Sequence, residues 1–293
     1  MKIKFITSYK PGCWEQYAKK GIEAMAKNLP GEIDLVVYAE EKIPACDYER
    51  IKWVDLNNAE PELFKFKTRH KNDPVANGKL GNVEGGVRRL PELQKLGGLD
   101  KNKESFLWDA VRFANKVFCV INAVRNSLDY NYVVWLDADT NIFRPMPFEF
   151  ITKLLPQNTM VTYLGRENPT LNDGGKYPEC GFVGYNLQHP ETQNFINEWE
   201  RLYKEDSVFK ILEWHDSYVF WHLTKKFKQE KQIEVNDIGK WVGVKGHHVF
   251  VNSVLGQYID HMKGDRKIKG SSSKKDLKTT INDVEYWKNV PPA

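Results

Sequence analysis

The sequence predicts an α/β domain built on a mixed, mainly parallel sheet flanked by helices. Three observations carry that prediction. Apolar runs of strand length alternate with longer segments whose apolar residues recur at helical spacing. Near the start of the chain the links between them are short, as in strand-helix-strand units. One run, Val133-Val134-Trp135-Leu136, is apolar throughout, which reads as a strand buried on both faces.

Ile3 to Tyr9 reads as the first strand. Trp14, Tyr17, Ala18, Ile22, Met25 and Leu29 follow at helical spacing until Pro30-Gly31 stops the helix. Ile33 to Ala39 and Ile51 to Leu56 read as two more strands. From Lys65 to Lys103 the pattern dissolves into Lys, Arg, Asn and Gly. A segment of that length and composition reads equally as a functional lid and as a solvated surface excursion. Glu104 to Leu128 is the strongest helical pattern, with Leu107, Val111, Ala114, Val117, Phe118, Ile121, Val124 and Leu128 as its buried stripe. Asp109, Arg112 and Lys116 share another face, and a solvated salt-bridge ladder explains that triplet as well as a ligand does.

Met160 to Leu164 and Gly181 to Asn186 read as strands around the turn-rich Asn172-Asp173-Gly174-Gly175. The glycines of Glu179-Cys180-Gly181-Phe182-Val183-Gly184 suit a close ligand or backbone approach. A helix is expected from about Glu191 to Tyr203, and Trp214-His215-Asp216-Ser217 opens another. His247 and His248 are neighbours that face opposite ways in an extended chain, so they read as structural. His261 lies among Lys and Gly, as in a phosphate-binding loop. Residues 263 to 278 are basic, and 270 to 293 read as a flexible basic tail after a single domain spanning 1 to 269.

Composition bounds the function. The chain has 293 residues and a net charge of +4, typical of a globular protein with only a mild preference for anions. No apolar run approaches the roughly 18 residues of a membrane span, and the N-terminus lacks a signal-peptide pattern. Cys13, Cys46, Cys119 and Cys180 have neither zinc nor redox spacing and are expected to be reduced thiols in a cytoplasm.

The chemistry is expected after the buried strand, at Asp137-Ala138-Asp139. In an extended chain both carboxylates point to one side and can converge on one cation. Carboxylates suit magnesium or manganese, which take their remaining ligands from water and phosphates. A calcium loop counted from Asp137 would need Gly and Glu where Ile142 and Phe148 stand. The polar end of the first strand, Thr7-Ser8-Tyr9, is expected on the same sheet edge, making Thr7 and Tyr9 candidate ligand contacts.

Asp137-x-Asp139 after a buried strand, followed late in the chain by His261-x-x-Gly264-x-x-Lys267, resembles the metal-dependent glycosyltransferases of the GT-A fold. The resemblance is greatest to the retaining, glycogenin-like and galactosyltransferase-like group called family 8. It implies a GT-A-like, Rossmann-like single domain. It also implies that Asp137, Asp139 and His261 hold manganese or magnesium, and that Gly264 and Lys267 contact the diphosphate of a nucleotide-sugar donor. Arg112 resembles the basic residue on the helix before the metal strand, with Lys116 one turn on. Asp216 resembles the acid beside the reacting sugar, although His215 stands where relatives carry glutamine. Pro-Trp after the late lysine is replaced by Ile268-Lys269, and Glu179-Cys180-Gly181 only loosely follows the relatives' Asn-Ser-Gly.

The expected activity is transfer of a sugar from a nucleotide-diphosphate donor, a uridine one for preference, to a hydroxyl acceptor that is a glycan, lipid, protein or modified DNA base. A sugar-nucleotide-forming enzyme is disfavoured because Thr7-Ser8-Tyr9-Lys10-Pro11-Gly12 is not a Gly-rich, Arg-containing loop. Two alternatives involve nucleic acid: a viral type of enzyme that glycosylates a hydroxylated DNA base, and a non-catalytic binder using the basic segments.

Overall fold

Strand β1 (Ile3–Tyr9) is flanked on both sides by parallel partners, β2 (Asp34–Ala39) and β4 (Tyr132–Leu136), and β3 (Ile51–Asp55) extends the sheet beyond β2. A short strand β5 (Thr140–Ile142) follows β4. Then come β6 (Val161–Glu167), β7 (Lys176–Asn186), β8 (Val235–Asp237) and β9 (Ile259–His261). The computed structural model describes residues 1–46, 48–79, 106–167, 176–239, 248–278 and 284–292.

The main sheet runs β3-β2-β1-β4-β7-β6-β8. Only β7 runs against its neighbours, so the sheet is mixed and mainly parallel, as its alternating pattern predicts. A separate antiparallel ribbon joins β5 to β9, with Thr140 opposite His261.

Helices cover both faces of the sheet. Helix α1 (Lys19–Asn28) packs one face with Phe5, Leu35, Val37 and Val134. Helix α2 (Leu56–Ala59) and α3 (Pro61–His70) lead toward α4 (Ala110–Arg125) on the other face, with Ile6, Val36, Val133 and Trp135. Every residue of β4 is buried because successive side chains enter different cores. Helix α5 (Phe148–Lys153) lies on the α1 side, and α6 (Thr192–Lys204) and α7 (Asp216–Lys231) on the α4 side. Two short helices, α8 (Arg266–Lys269) and α9 (Glu285–Lys288), follow β9.

Several expectations are corrected. The loop expected from Lys65 does not begin there: Phe66 and His70 are buried on α3, which Pro61 starts and basic residues end. Residues 80 to 103 of the expected lid, residues 104 and 105 of the expected helix, the Asn172-Gly175 turn and His247 lie outside the described residues. Helix α4 is shorter than its pattern, starting after Asp109, whose carboxylate accepts from the Arg112 N–H at 3.2 Å. It ends at Arg125, so Leu128 is 75% exposed rather than part of the stripe.

The expected tail is also packed where it is described. Trp287 is buried with Val251, Leu277 and Val290, and its Nε1 donates to the Gly256 carbonyl at 2.6 Å. Asp260, fully buried, accepts from the Ser272 N–H, the Ser272 hydroxyl and the Tyr286 hydroxyl. The four cysteines are free thiols. No helix among the described residues is long and apolar enough to cross a membrane.

Candidate active site

The carboxyl ends of β1 and β4 open into a cleft of about 640 Å³. Strand order reverses between these two strands, and a crevice at such a switch point is where open parallel sheets bind ligands. Ser8, Tyr9 and Lys10 line it from β1, Trp135 and residues 137 to 139 from β4, and Glu179 and Cys180 from β7. Arg112 and Lys116 reach it from α4, Asp216 from the first turn of α7, and His261, Lys263 and Lys267 from the ribbon and the loop after it.

Asp137 prolongs β4, its N–H donating to the Gly181 carbonyl at 2.9 Å, before the chain turns at Asp139. Its Oδ1 accepts from Trp135 Nε1 at 2.6 Å and from Lys116 Nζ at 2.9 Å. Its Oδ2 lies 3.6 Å from His261 Nε2. The turn is braced from behind: a Cβ on Gly21 of α1 would stand 2.0 Å from the Ala138 carbonyl oxygen and 2.6 Å from that of Thr140. Helix and turn therefore touch backbone to backbone, which only glycine permits.

The β5–β9 ribbon delivers His261 to these acids. Met262 N–H donates to the Asp139 carbonyl, and His248 Nε2 donates to the His261 carbonyl at 2.7 Å, bearing out a structural role for His248. Burial pushes His248 down to about 4, so its ring is neutral when it makes that bond. The His261 ring packs edge-on to Phe250 and is buried, with neither nitrogen in an aligned hydrogen bond. Yet Nε2 is 3.2 Å from Asp139 Oδ1. Burial lowers the His261 pKa, but the neighbouring carboxylates, Asp139 foremost, outweigh it and raise it.

Asp137, Asp139 and Asp216 are each met by a lysine. Lys116, largely buried, bonds Asp137, Asp216 Oδ2 at 2.8 Å and the Cys180 carbonyl at 2.6 Å. Burial opposes its charge, but the two carboxylates prevail and hold the ammonium well above its usual pKa. Lys267 Nζ is 2.9 Å from Asp139 Oδ2 and lies over the Tyr17 ring. Burial would raise the Asp139 pKa, but His261 and Lys267 keep it well below the usual carboxylate range. Asp216 is likewise lowered, Lys116 outweighing the burial.

Of the predicted site residues, Tyr9, Arg112, Lys116, Asp137, Asp139, Asp216, His261 and Lys267 line one cleft. Thr7 does not: it is fully buried, on the same side of β1 as Tyr9 but two residues further from the strand end that reaches the cleft. Gly264 also lies off the wall, where its φ of +66° makes the turn between Lys263 and Lys267. Arg112 pairs with Asp109 at 3.1 Å and lies over Phe113.

Glu179 and Glu40 are acids of the cleft that the sequence reading did not assign to the site. Glu179 ends up beside His261, paired with Lys263 at 3.0 Å. Asp137, Glu179 and His261 each offer one ligand atom, all within 4.8 Å of one another. Glu40, after β2, accepts from the Ser8 hydroxyl at 3.0 Å, and burial raises its pKa to about 7.

Because the Glu40 pKa is raised on folding, its contribution to stability is full below pH 4.5 and is lost as pH rises through about 7. Glu40→Gln is expected to leave stability at pH 4 unchanged and to raise it at pH 8, by about 2 kcal/mol once partial solvent contact is allowed for. Urea unfolding at the two pH values checks this, and equal shifts at both would refute it.

No family model matches the chain, and no curated protein matches it. Among solved structures the chain is similar to mouse xyloside xylosyltransferase 1 in its apo form, at 11% identity over 81% of this chain and 85% of that one, with a TM-score of 0.44. It is also similar to a glycosyltransferase involved in the glycosylation of the major capsid of PBCV-1, at 11% identity over 92% of this chain and 98% of that one, with a TM-score of 0.42. At such scores the functional reading rests on the residues of the cleft.

Proposed function

We propose that the protein is a metal-dependent glycosyltransferase that moves a sugar from a nucleotide-diphosphate donor, preferentially a uridine one, to a hydroxyl acceptor with retention of configuration. The observation that carries this reading is the buried His261 ring, whose Nε2 lies 3.2 Å from Asp139 and 3.6 Å from Asp137 at the end of the central strand. One imidazole and two carboxylates fit a small divalent cation, and an open cleft leaves room for phosphate oxygens to complete its shell.

Asp137, Asp139 and His261 would hold manganese or magnesium. A bound cation of this kind supplies Lewis-acid stabilisation of the departing diphosphate. Lys267, already turned toward Asp139, adds a fixed positive charge where the leaving group gains negative charge. Arg112, on the cleft wall, offers a further cation to the donor phosphates.

Asp216 enters the cleft from the N-terminus of α7 and shares the Lys116 ammonium with Asp137. An ionised carboxylate paired with Lys116 at 2.8 Å is a weak base. That favours its stabilising positive charge on the sugar carbon over deprotonating an acceptor, which supports retention.

A screen of nucleotide sugars for Mn2+-dependent hydrolysis and thermal stabilisation tests the reading without an acceptor. One donor is expected to stabilise the protein and to be hydrolysed only with the ion. Full activity in excess chelator, or no response to any nucleotide sugar, would overturn it. NMR of the product from an α-linked donor is expected to show an α linkage, and a β product would recast Asp216 as a base.

A further inference from the structure

We propose that Glu179 is a direct ligand of the metal ion, completing with Asp137 and His261 a site that carries one carboxylate more than the acid-x-acid motif supplies. The inference rests on the metal-dependent reading above and adds to it a residue on a different strand.

Strand β7 runs antiparallel to β4, with Phe182 opposite Leu136 and the Gly181 carbonyl accepting from Asp137. Its segment 179–181 therefore passes directly beside the acid at the end of β4. The His261 ring lies on this segment: a Cβ on Gly181 would stand 2.9 Å from His261 Cε1 and 3.2 Å from a Phe250 ring carbon. Glycine at 181 is thus required by the imidazole. The β7 register against β6 jumps from Val183 to Glu179 at this point, and the Glu179 carboxylate comes within 4.8 Å of the His261 ring nitrogen.

The separations fit an ion. Ligands about 2.1 Å from one small divalent cation lie about 3 Å apart when adjacent and about 4.2 Å apart when opposite. The ligand atoms of Asp137, Glu179 and His261 fall within 4.8 Å of one another, so a small side-chain adjustment closes the set. His261 supplies an independent pointer, since its ring is buried and hydrogen-bonds through neither nitrogen. Asp139 differs: one oxygen faces His261 and the other is held by Lys267 at 2.9 Å.

Glu179 is only 3% exposed and pairs with Lys263 at 3.0 Å. An ion taking its carboxylate would release that ammonium into the cleft, where an incoming diphosphate can receive it. Lys263 thus competes with the ion for Glu179.

Mn2+ uptake, read from the loss of the aqueous ion's EPR signal with and without UDP, tests this in the intact protein. Glu179→Gln preserves shape and is expected to weaken Mn2+ binding at least tenfold. Lys263→Met is expected to move affinity the other way, two- to tenfold tighter, because it removes an ammonium that competes with the ion for that carboxylate. If Glu179 serves only to hold Lys263 or to contact the sugar, both variants bind Mn2+ within twofold of the native protein, and the inference fails while the metal reading stands. No uptake by the native protein at millimolar Mn2+, with or without UDP, overturns both. Should Glu179→Gln not fold, unchanged affinity in Lys263→Met is by itself enough to reject the proposal.

Discussion

Asp137→Asn is expected to lower transfer by about 10² to 10⁴, the worth of several kcal/mol of Lewis-acid stabilisation, while leaving the fold intact. The two oxygens of Asp137 have different duties. Oδ1 accepts from Trp135 and Lys116, and an amide oxygen can take both bonds. Oδ2 faces His261, and there asparagine presents an N–H group that cannot ligate a cation. Activity and Mn2+ uptake should therefore fall together with little change in melting temperature. An active variant, or one that still takes up the ion, would remove Asp137 from the site.

Lys116→Met is expected to act mainly on stability, costing about 3 to 5 kcal/mol, because it strands buried carboxylates. Methionine matches the length of the stem but leaves Asp137 and Asp216 facing each other without the cation between them, and the Cys180 carbonyl without its donor. Adding Asp216→Asn should restore part of the loss by removing one of the two repelling charges. Denaturant unfolding of the two singles and the double closes this cycle. Additive effects would mean that Lys116 and Asp216 do not act as a pair.

These expectations could be written from residues that the sequence had already singled out, because their signals are local. The run Val133 to Leu136 ending in two acids identifies a doubly buried strand and the sheet edge at which the cleft opens. The repeats around Ile22 and Val117 identify the helices on either side. Thr7 falls outside the cleft because a strand's polar end does not say how far back along the strand the cleft reaches. The packed segment around Trp287 was masked by its basic neighbours, although two adjacent aromatics, Tyr286 and Trp287, are unusual in a solvated tail. Glu179 was not legible as a site residue for a deeper reason. Its place beside His261 depends on β7 being inserted antiparallel next to β4, and no spacing within the chain encodes that neighbour.

The β5–β9 ribbon has a consequence for the order in which the protein matures on the ribosome. Thr140 and His261 are cross-strand partners that are far apart in the chain. The acids of the central strand emerge while the histidine and the late lysines are still unmade. Asp260, next to His261, is tied to Ser272 and Tyr286, so part of the ribbon's anchorage is translated later still. A nascent chain can thus complete its central strands early and remain without an assembled cleft until the segment from Ile259 to Tyr286 has been added. Emergence of activity in a timed translation should lag behind emergence of a protease-resistant core.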